Sequence, residues 1–482
     1  MKISIYNFKS ISSVVSYDLK PLTILSGINS SGKSSFIQLF LLLKQTLELD
    51  STKHPLYLTG DFYKVQSYKD IVRGKDLSRT IRVSFQIEKA EFLKDEKVVG
   101  SIYDSFEDYT CFCDVSFAWF NQEIIVSEFA VKYLIKDGGD STEQSVHFWN
   151  RPDSLIPFEI EATNDYFVKR IWESKPTITS ISFSSLFPSA YELEETVEGD
   201  ELKQGEKLVE KKRYRELPNL DSLKSYLVNF FDQLHYIGPL RIEPQDEYYF
   251  NRDHNTVGKN GENVAQVLEK YGEQKISVWI PRKVEDDTLV FENREMELIE
   301  ATSFWLCEQF NFGKKISSKK VGENYSIVLT THAGLDTTIK HVGFGISQVL
   351  PIIVEGLLMD SGALLILEQP EIHLHPKIQS SLFDFLNSLI LSGKKILVET
   401  HSDHFITRMR RRVAEDASNT LKDKIKLTFV ETEGTNLLFR NIDVDDFGAL
   451  EFFPQDFIEK SDAELKAIVK AQMKKRITKQ TS

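Results

Sequence analysis

The sequence has few of the features that mark secreted or membrane-spanning proteins. It contains three cysteines, Cys111, Cys113 and Cys307, and their spacing fits neither a disulfide framework nor a zinc site. No apolar run approaches the roughly 20 residues that cross a bilayer. The first ten residues, MKISIYNFKS, lack the apolar core of a signal peptide. These absences predict a protein of the reducing cytoplasm that has no membrane partner.

Repeats and heptads are also missing, which excludes a solenoid and a coiled-coil arm. The middle of the chain instead alternates Phe, Tyr and Val with polar residues, a pattern typical of β-strands. We predict consecutive strands over 80–92, 109–120 and 123–135. The net charge of −13 argues mildly against a protein that coats nucleic acid without sequence preference.

Residues 27–35, GINSSGKSS, match the phosphate-binding pattern G-x-x-x-x-G-K-[ST]. The segment, called the phosphate loop below, follows a predicted strand, LTILSG, and precedes an apolar helix predicted from Phe36 to Leu47. Its glycines allow backbone N–H groups to turn toward phosphate oxygens, Lys33 adds a positive charge, and the Ser34 hydroxyl can ligate Mg²⁺. The predicted ATP-binding residues of the loop are Gly27, Asn29, Ser30, Ser31, Gly32, Lys33, Ser34 and Ser35.

A second motif, LLILEQPEIHLHP, runs from Leu364 to Pro376. Its apolar strand ends in Glu368, which we predict to be a ligand of Mg²⁺. Gln369 follows, and an amide cannot take a proton from water, so Glu371 is the nearby alternative base. His401 ends the next predicted strand, KKILVET, where it can hydrogen-bond a terminal phosphate or the attacking water.

The order of these patterns predicts an α/β fold with a mostly parallel sheet, flanking helices, an antiparallel β portion and an inserted α+β lobe. We predict the N-terminal part of the nucleotide-binding head over 1–90 and the inserted lobe over 91–235. The C-terminal part of the head then spans 236–445, and a tail spans 446–482. Inside the lobe, the charged segment from Glu192 to Leu217 is predicted to be a solvated excursion, either a helical protrusion or a mobile loop.

The motifs GINSSGKSS, EQPEIHLHP and ETHSDHF resemble those of ABC-type ATPases within the AAA family, the group that includes SMC, RecF and overcoming-lysogenization-defect proteins. Three further segments, YIGPLRIEP, VGFGISQVLPIIVEG and FFPQDF, resemble the ATPase subunits of phage-defence systems such as Septu and PARIS. The resemblance implies an ABC-type P-loop head that binds ATP and Mg²⁺. It also implies a head-to-tail dimer or higher homo-oligomer in which each nucleotide lies between two copies.

The resemblance assigns further residues to the nucleotide. The family signature corresponds to Val342–Gln348, where Gly345 and Ser347 are the predicted contacts to the ATP of the other copy. Gln66 is the predicted Q-loop residue. The residue that follows the Mg²⁺ acid normally polarises the attacking water, and here it is Gln369, so either Glu371 replaces it or hydrolysis is slow. We favour slow hydrolysis.

These expectations leave three functional hypotheses. The first is an ATPase that acts as sensor and scaffold of an anti-phage complex and controls a separate effector nuclease, since no nuclease constellation follows His401 in the sequence. The second is a RecF-like repair ATPase that clamps duplex DNA. Its support is a set of basic residues, namely Arg408, Arg410, Arg411, Arg412, Lys474, Lys475 and Arg476. The third is a structural ATP-binding module with little hydrolysis.

Overall fold

The structure is a computed structural model that describes residues 1–12, 15–27, 32–94, 102–151, 158–163, 177–197, 208–214, 220–249, 253–284, 288–434 and 436–452. The chain divides into two compact units, which are described separately. The first consists of Met1–Asp18, Ser35–Gln233 and Glu433–Leu437, and the second of Leu19–Ser34, Leu234–Thr432 and Leu438–Ser482. Sheets and helices occur in both units, and the predicted α/β class is confirmed.

The main sheet of the first unit is antiparallel. Its strand order is β2-β1-β4-β5-β6-β7-β8. These strands are β1 (Lys2–Tyr6), β2 (Val15–Asp18), β4 (Ile81–Glu88), β5 (Asp108–Phe120), β6 (Glu123–Asp137), β7 (Asp140–Asn150) and β8 (Phe158–Ala162). The sheet therefore joins the N-terminus of the chain to its middle.

The predicted strands over 109–120 and 123–135 are confirmed as the hairpin β5–β6. Asn121 and Gln122 form its turn with φ angles of 46° and 66°, the left-handed values that a tight hairpin requires. The strand predicted over 80–92 is only partly right. Strand β4 ends at Glu88, and Lys89–Leu93 form a short helix instead.

A smaller antiparallel sheet in the first unit contains β9 (Thr177–Ser184), β10 (Phe187–Val197) and β11 (Leu208–Tyr214), in the order β11-β10-β9. Strands β10 and β11 pair over Tyr191–Val197 and Leu208–Tyr214. The prediction of a helical protrusion or mobile loop is therefore wrong over these residues. Hydrogen bonds to a neighbouring strand outweigh the weak β-propensity of the local sequence. Residues 198–207 and 215–219 lie outside the described part of the chain.

Helix α1 (Lys33–Leu49) confirms the helix predicted after the phosphate loop, and α2 (Lys89–Leu93) and α3 (Asp221–Asp232) follow it in the chain. Phe36, Phe40 and Phe231 are fully buried in the core of the first unit. Phe40 lies between the other two, with ring centroids 5.2 Å from Phe36 and 6.2 Å from Phe231. This aromatic contact fixes α1 against α3.

The central sheet of the second unit has the order β12-β18-β19-β3-β20-β21, and its first five strands are parallel. These strands are β3 (Leu22–Gly27), β12 (Leu234–Ile237), β18 (Leu364–Glu368), β19 (Lys395–Glu399), β20 (Ile425–Glu433) and β21 (Asn436–Ile442). Strands β3 and β18 are buried along their whole length, as expected of strands covered on both faces.

The second unit also has two antiparallel sheets. One is the hairpin β13 (Lys275–Lys283) with β14 (Leu289–Glu297), and the other contains β15 (Lys315–Val321), β16 (Asn324–Thr330) and β17 (Asp336–Thr338). The helices are α4 (Val264–Tyr271), α5 (Leu298–Ser303), α6 (Gly345–Leu358), α7 (Pro376–Leu391), α8 (Asp403–Glu415) and α9 (Leu421–Lys424), and a π-helical turn covers Phe304–Gln309.

Helix α6 lies in the hydrophobic core of the second unit, and all of its residues from Ile346 to Leu357 are buried. Its last turn is capped by Lys394, whose Nζ donates to the carbonyls of Gly356 and Leu357 at 2.7 and 2.8 Å. The mostly parallel sheet with flanking helices predicted from the sequence is confirmed here. The predicted division into segments 1–90, 91–235, 236–445 and 446–482 stays a prediction, although β5 to β7 share a sheet with β1 and β4.

Candidate nucleotide-binding site

The phosphate loop begins where β3 ends, at a point that only glycine fits. Gly27 has a φ of 145°, and a Cβ at this position would lie 2.1 Å from the carbonyl oxygen of Val430 on β20. Gly32 has a φ of 87°, which also favours glycine. Asn29, Ser30 and Ser31 lie outside the described residues. The backbone conformation therefore explains why the pattern has glycine at both positions.

Lys33 and Ser34 are the first residues of α1. The Nζ of Lys33 donates to the Gly27 carbonyl at 3.1 Å, so the side chain points back toward the end of β3. Burial lowers the pKa of Lys33, while the charges of Glu399 and Glu371 raise it. The first turn of this 17-residue helix contains no acid, so its partial positive charge is available to an anion.

The Ser34 hydroxyl contacts a carboxylate that the sequence did not single out. It donates to Oε2 of Glu399 at 3.2 Å. Glu399 ends β19, which lies between β18 and β3, and it is the register partner of Glu368 on β18. The predicted pair of Ser34 and Glu368 therefore has Glu399 as a third member. The signal for it was the acid at the end of KKILVET.

Both strand-end carboxylates lie in an environment that disfavours their charge. Burial and then the charge of Glu368 raise the pKa of Glu399 to about 7, against the opposing effects of Lys33 and Ser34. Burial also raises the pKa of Glu368, and the Tyr236 hydroxyl opposes this by donating to its Oε1 at 2.8 Å. Two neighbouring carboxylates of raised pKa indicate a place where a positive charge would be stabilised.

Arg241 is a second residue that sequence reasoning missed, although it lies in the quoted YIGPLRIEP. Its guanidinium donates to the Glu368 carbonyl at 3.2 Å and to Oε1 of Gln348 at 3.4 Å. Its Nε is buried and has no hydrogen-bond partner. Burial lowers the pKa of Arg241 to about 10, and the charge of Glu371 opposes this. Arg241 therefore joins helix α6 to the end of β18.

Gln369 and Glu371 follow β18 and make different contacts. Gln369 has a φ of 43°, a strained value for a non-glycine residue, and its N–H donates to the Glu399 carbonyl at 2.8 Å. Glu371 accepts the backbone N–H of His401 on Oε1 at 2.6 Å. Its Oε2 is buried without a hydrogen-bond partner, and burial raises its pKa. Glu371 thus has a carboxylate oxygen free for a further donor.

His401 lies two residues after the end of β19 and is partly buried. Burial and the charge of Lys33 lower the pKa of His401 to about 4, and a contact with the Gly27 backbone opposes them. The imidazole is therefore neutral near pH 7. A neutral ring can both donate and accept a hydrogen bond.

The remaining predicted contacts do not all converge here. Gly345 is the first residue of α6 and partly exposed, whereas Ser347 is buried and donates to the Phe344 carbonyl at 2.8 Å. Ser35 and Gln66 belong to the first unit. There the Ser35 hydroxyl contacts that of Ser10 at 3.0 Å, and Gln66 is exposed in a bend.

The side chains around Ser34 fit Mg²⁺ better than a transition metal. Within the described ranges, no group of three or more His, Cys, Asp or Glu residues is arranged to hold a metal ion. Ser34, Glu368 and Glu399 offer oxygen donors only, which suits a hard cation that keeps waters and phosphate oxygens as its other ligands.

None of the described helices is long and apolar enough to cross a membrane.

Comparisons with known proteins identify the family. Three solved structures align along most of the chain at low TM-scores. They are an SMC head bound to the C-winged helix domain of ScpA (10% identical, 92% of this chain and 97% of that chain, TM-score 0.41), the SMC head domain from Thermotoga maritima (9%, 92% and 98%, 0.34), and an SMC head with an extended coiled coil bound to the C-terminal domain of ScpA, from Pyrococcus furiosus (8%, 97% and 98%, 0.39). None of the curated proteins compared with the chain matches it. The family profile described as AAA ATPase domain matches residues 1–406, and the chain therefore belongs to this family of ATPases.

Proposed function

We propose that the protein binds ATP with Mg²⁺ at this site and hydrolyses it slowly in a head-to-tail homodimer. In this proposal the ATP-dependent dimer is the sensor and scaffold of an anti-phage complex and controls a separate effector nuclease. The resemblance of YIGPLRIEP and VGFGISQVLPIIVEG to the ATPase subunits of phage-defence systems supports this setting. Glu371 and His401 are the proposed catalytic residues, with Gln369 beside them.

One observation carries the nucleotide part of the proposal. Lys33 and Ser34 begin a long helix that follows Gly27 and Gly32, Glu399 ends the strand beside β3, and Glu368 ends the next strand, β18. In open α/β sheets, ligands bind at the carboxyl ends of the strands. A phosphate held at the start of α1 would therefore lie against these acids, and a cation is needed between them.

Each chain residue then has a distinct part in the proposed reaction. The loop N–H groups and Lys33 would hold the phosphates, and Ser34 and Glu368 would hold Mg²⁺, which would neutralise charge on the phosphate oxygens. Glu371 takes the proton of the attacking water on Oε2, because its other oxygen is already fixed by the His401 N–H. Gln369 can orient that water but cannot accept its proton. His401, neutral near pH 7, hydrogen-bonds the terminal phosphate.

The first test is Mg²⁺-dependent ATP turnover by the purified chain, measured beside Glu371→Gln and Lys33→Ala. Turnover of Glu371→Gln should fall by roughly 10²- to 10⁴-fold, the usual contribution of a general base, while ATP binding persists. Lys33→Ala should lose ATP binding itself. Glu431→Gln, the same substitution at a glutamate of β20 that pairs with Arg440, is the control for the loss of one negative charge.

Two results would count against this assignment. Unchanged turnover in Glu371→Gln would remove Glu371 as the base. Tight ATP binding with no turnover in the unmodified chain would favour the third hypothesis, in which ATP stabilises an assembly without being cut.

The alternative of a RecF-like DNA clamp receives less support from the basic run on α8. Arg412 is buried and pairs with Asp384 at 2.6 Å, and Arg408 contacts the same carboxylate at 3.3 Å. Arg411 pairs with Glu415 at 2.6 Å, and Arg410 donates to the Gly448 carbonyl at 2.8 Å. These side chains already have internal partners. Lys474, Lys475 and Arg476 lie outside the described residues.

Salt dependence distinguishes the clamp from the scaffold. A protein that neutralises several phosphates loses roughly 10³-fold or more in DNA affinity between low and moderate salt. We expect no such steep dependence for this chain with ATP and duplex DNA. A steep decline that Arg411→Ala and Arg410→Ala weaken would favour the clamp.

A further inference from the structure

We infer that Glu399 is itself a ligand of the nucleotide-bound divalent cation, beside Ser34 and Glu368. The inference deepens the proposed function and rests on it. It assigns a residue that the sequence pattern alone left out, and the assignment comes from position, contact and charge.

Position is the first reason. Strand β19 lies between β18 and β3, so Glu399 is nearer in the sheet to the strand of the phosphate loop than Glu368 is. Glu399 and Leu25 are register partners, as are Glu368 and Glu399. Of the two strands that end in a glutamate, the strand of Glu399 is therefore the nearer one to an ion held by the first residues of α1.

The hydrogen bonds give the second reason. Ser34 donates its proton to Oε2 of Glu399 at 3.2 Å and keeps its oxygen lone pairs free, as a metal-binding hydroxyl must. Glu368 has one carboxylate oxygen engaged by Tyr236, and its backbone carbonyl accepts from Arg241. Glu399 is thus the acid that already reaches the predicted Mg²⁺ ligand of the phosphate loop.

The charge of the cluster gives the third reason. Glu368, Glu371 and Glu399 are three buried carboxylates near two cations, Lys33 and Arg241, so the cluster carries a formal excess of one negative charge before any phosphate is added. Oε2 of Glu371, in a side chain that is 9% exposed, has no hydrogen-bond partner. Like charges in register on neighbouring strands repel each other. A divalent cation between Glu368 and Glu399 removes this repulsion.

The decisive experiment measures cation binding without any turnover. The full chain is mixed with a non-hydrolysable ATP analogue and titrated with Mn²⁺, and free Mn²⁺ is read by electron paramagnetic resonance. For Glu399→Gln we expect Mn²⁺ affinity to fall about 10- to 100-fold, while the affinity for the analogue in the absence of divalent cation stays unchanged. The matched control is Glu431→Gln, which alters a glutamate of β20, the strand on the other side of β3, that pairs with Arg440.

A second variant separates a metal ligand from a residue that only orients Ser34. Glu399→Cys offers a soft thiolate, so its ratio of Cd²⁺ to Mg²⁺ affinity should rise at least about tenfold if the side chain contacts the cation. An unchanged ratio, or Mn²⁺ affinity within about twofold of the unmodified chain in Glu399→Gln, overturns the inference. Failure of the unmodified chain to bind the analogue would overturn the proposed function as well, whereas normal binding with unaffected variants overturns only the role of Glu399.

Discussion

At the scale of single residues, Gly27 shows how one backbone angle supports the site. Its φ is 145°, and a Cβ would lie only 2.1 Å from the Val430 carbonyl oxygen, which leaves no room for a side chain. The backbone conformation at the end of β3 therefore requires a residue without a Cβ atom.

We predict that Gly27→Ala lowers the free energy of unfolding by more than about 2 kcal/mol, since it combines backbone strain with a clash against β20. Gly362→Ala is the matched control, because Gly362 also has a positive φ of 87° but open space around its Cβ position. It should cost about 1 kcal/mol. Urea unfolding measures both variants, and equal losses would show that the close approach to Val430 contributes nothing.

Gln369 presents the other residue-scale question, whether the missing carboxylate limits the rate. We predict that Gln369→Glu raises ATP turnover by up to roughly 10²-fold, because a carboxylate can accept the proton that an amide cannot. The change keeps the size of the side chain. Gln369→Ala removes the amide that can orient the water and provides no carboxylate. It should leave turnover at or below that of the unmodified chain.

The comparison of these two variants is informative in either direction. A Gln369→Glu enzyme no faster than the unmodified chain would show that the proton already goes elsewhere. Glu371 would then be the remaining nearby acceptor, and the double variant Gln369→Glu with Glu371→Gln would test it in steady-state assays.

At the scale of elements, the cap of helix α6 links stability to pH. Lys394 is buried, and burial lowers its pKa to about 8 in the folded chain, with the charge of Asp360 opposing the shift. The ordinary pKa of lysine is about 10.4. Between these two values the unfolded chain binds the proton more tightly, so the free energy of unfolding rises with pH.

We therefore predict that the stability difference between the unmodified chain and Lys394→Met changes with pH. From about pH 7 to about pH 10 the free energy of unfolding of the unmodified chain should rise by about 2 kcal/mol relative to that of Lys394→Met. Each pKa unit corresponds to about 1.4 kcal/mol. Groups other than Lys394 titrate in both proteins and cancel. A difference that stays constant over this range in denaturant titrations would show that the lysine keeps an ordinary pKa.

The elements also show where sequence patterns succeeded and where they did not. Strands β5 and β6 alternate apolar and polar residues over more than ten positions, and both were predictable. The segment around β10 and β11 is rich in charged residues, and only the backbone ladder between the two strands makes it a sheet. Lys89–Leu93 forms a helix, and Lys89 and Glu91 occupy the positions where the alternation of β4 would next place apolar residues. Short segments carry too few positions for their period to decide between helix and strand.

At the scale of the whole molecule, the proposed dimer predicts that two defective chains can repair each other. Each site would combine the phosphate loop of one copy with the signature segment Val342–Gln348 of the other. Lys33→Ala destroys the first part, and Gly345→Asp sets a carboxylate against the phosphate in the second. Each variant alone should be inactive.

An equal mixture of the two variants should regain about a quarter of the normal turnover, because half of the dimers are mixed and each of these has one intact site. Gly322→Asp, in an exposed turn between β15 and β16, is the control and should be active alone. A mixture with no more turnover than its components would contradict the composite site, provided that light scattering shows dimers in the mixture with ATP.

The sequence by itself determined the phosphate loop, the acid that ends β18, the histidine that follows β19, and the mostly parallel character of the sheet. These features are local, because a glycine pattern or an apolar run has the same meaning wherever the chain later folds. The tertiary structure decided which carboxylate meets Ser34 and which arginine joins α6 to β18. Glu399 and Arg241 lie 365 and 107 residues from their partners Ser34 and Gln348, and only the order of strands in the sheet brings such distant side chains into contact.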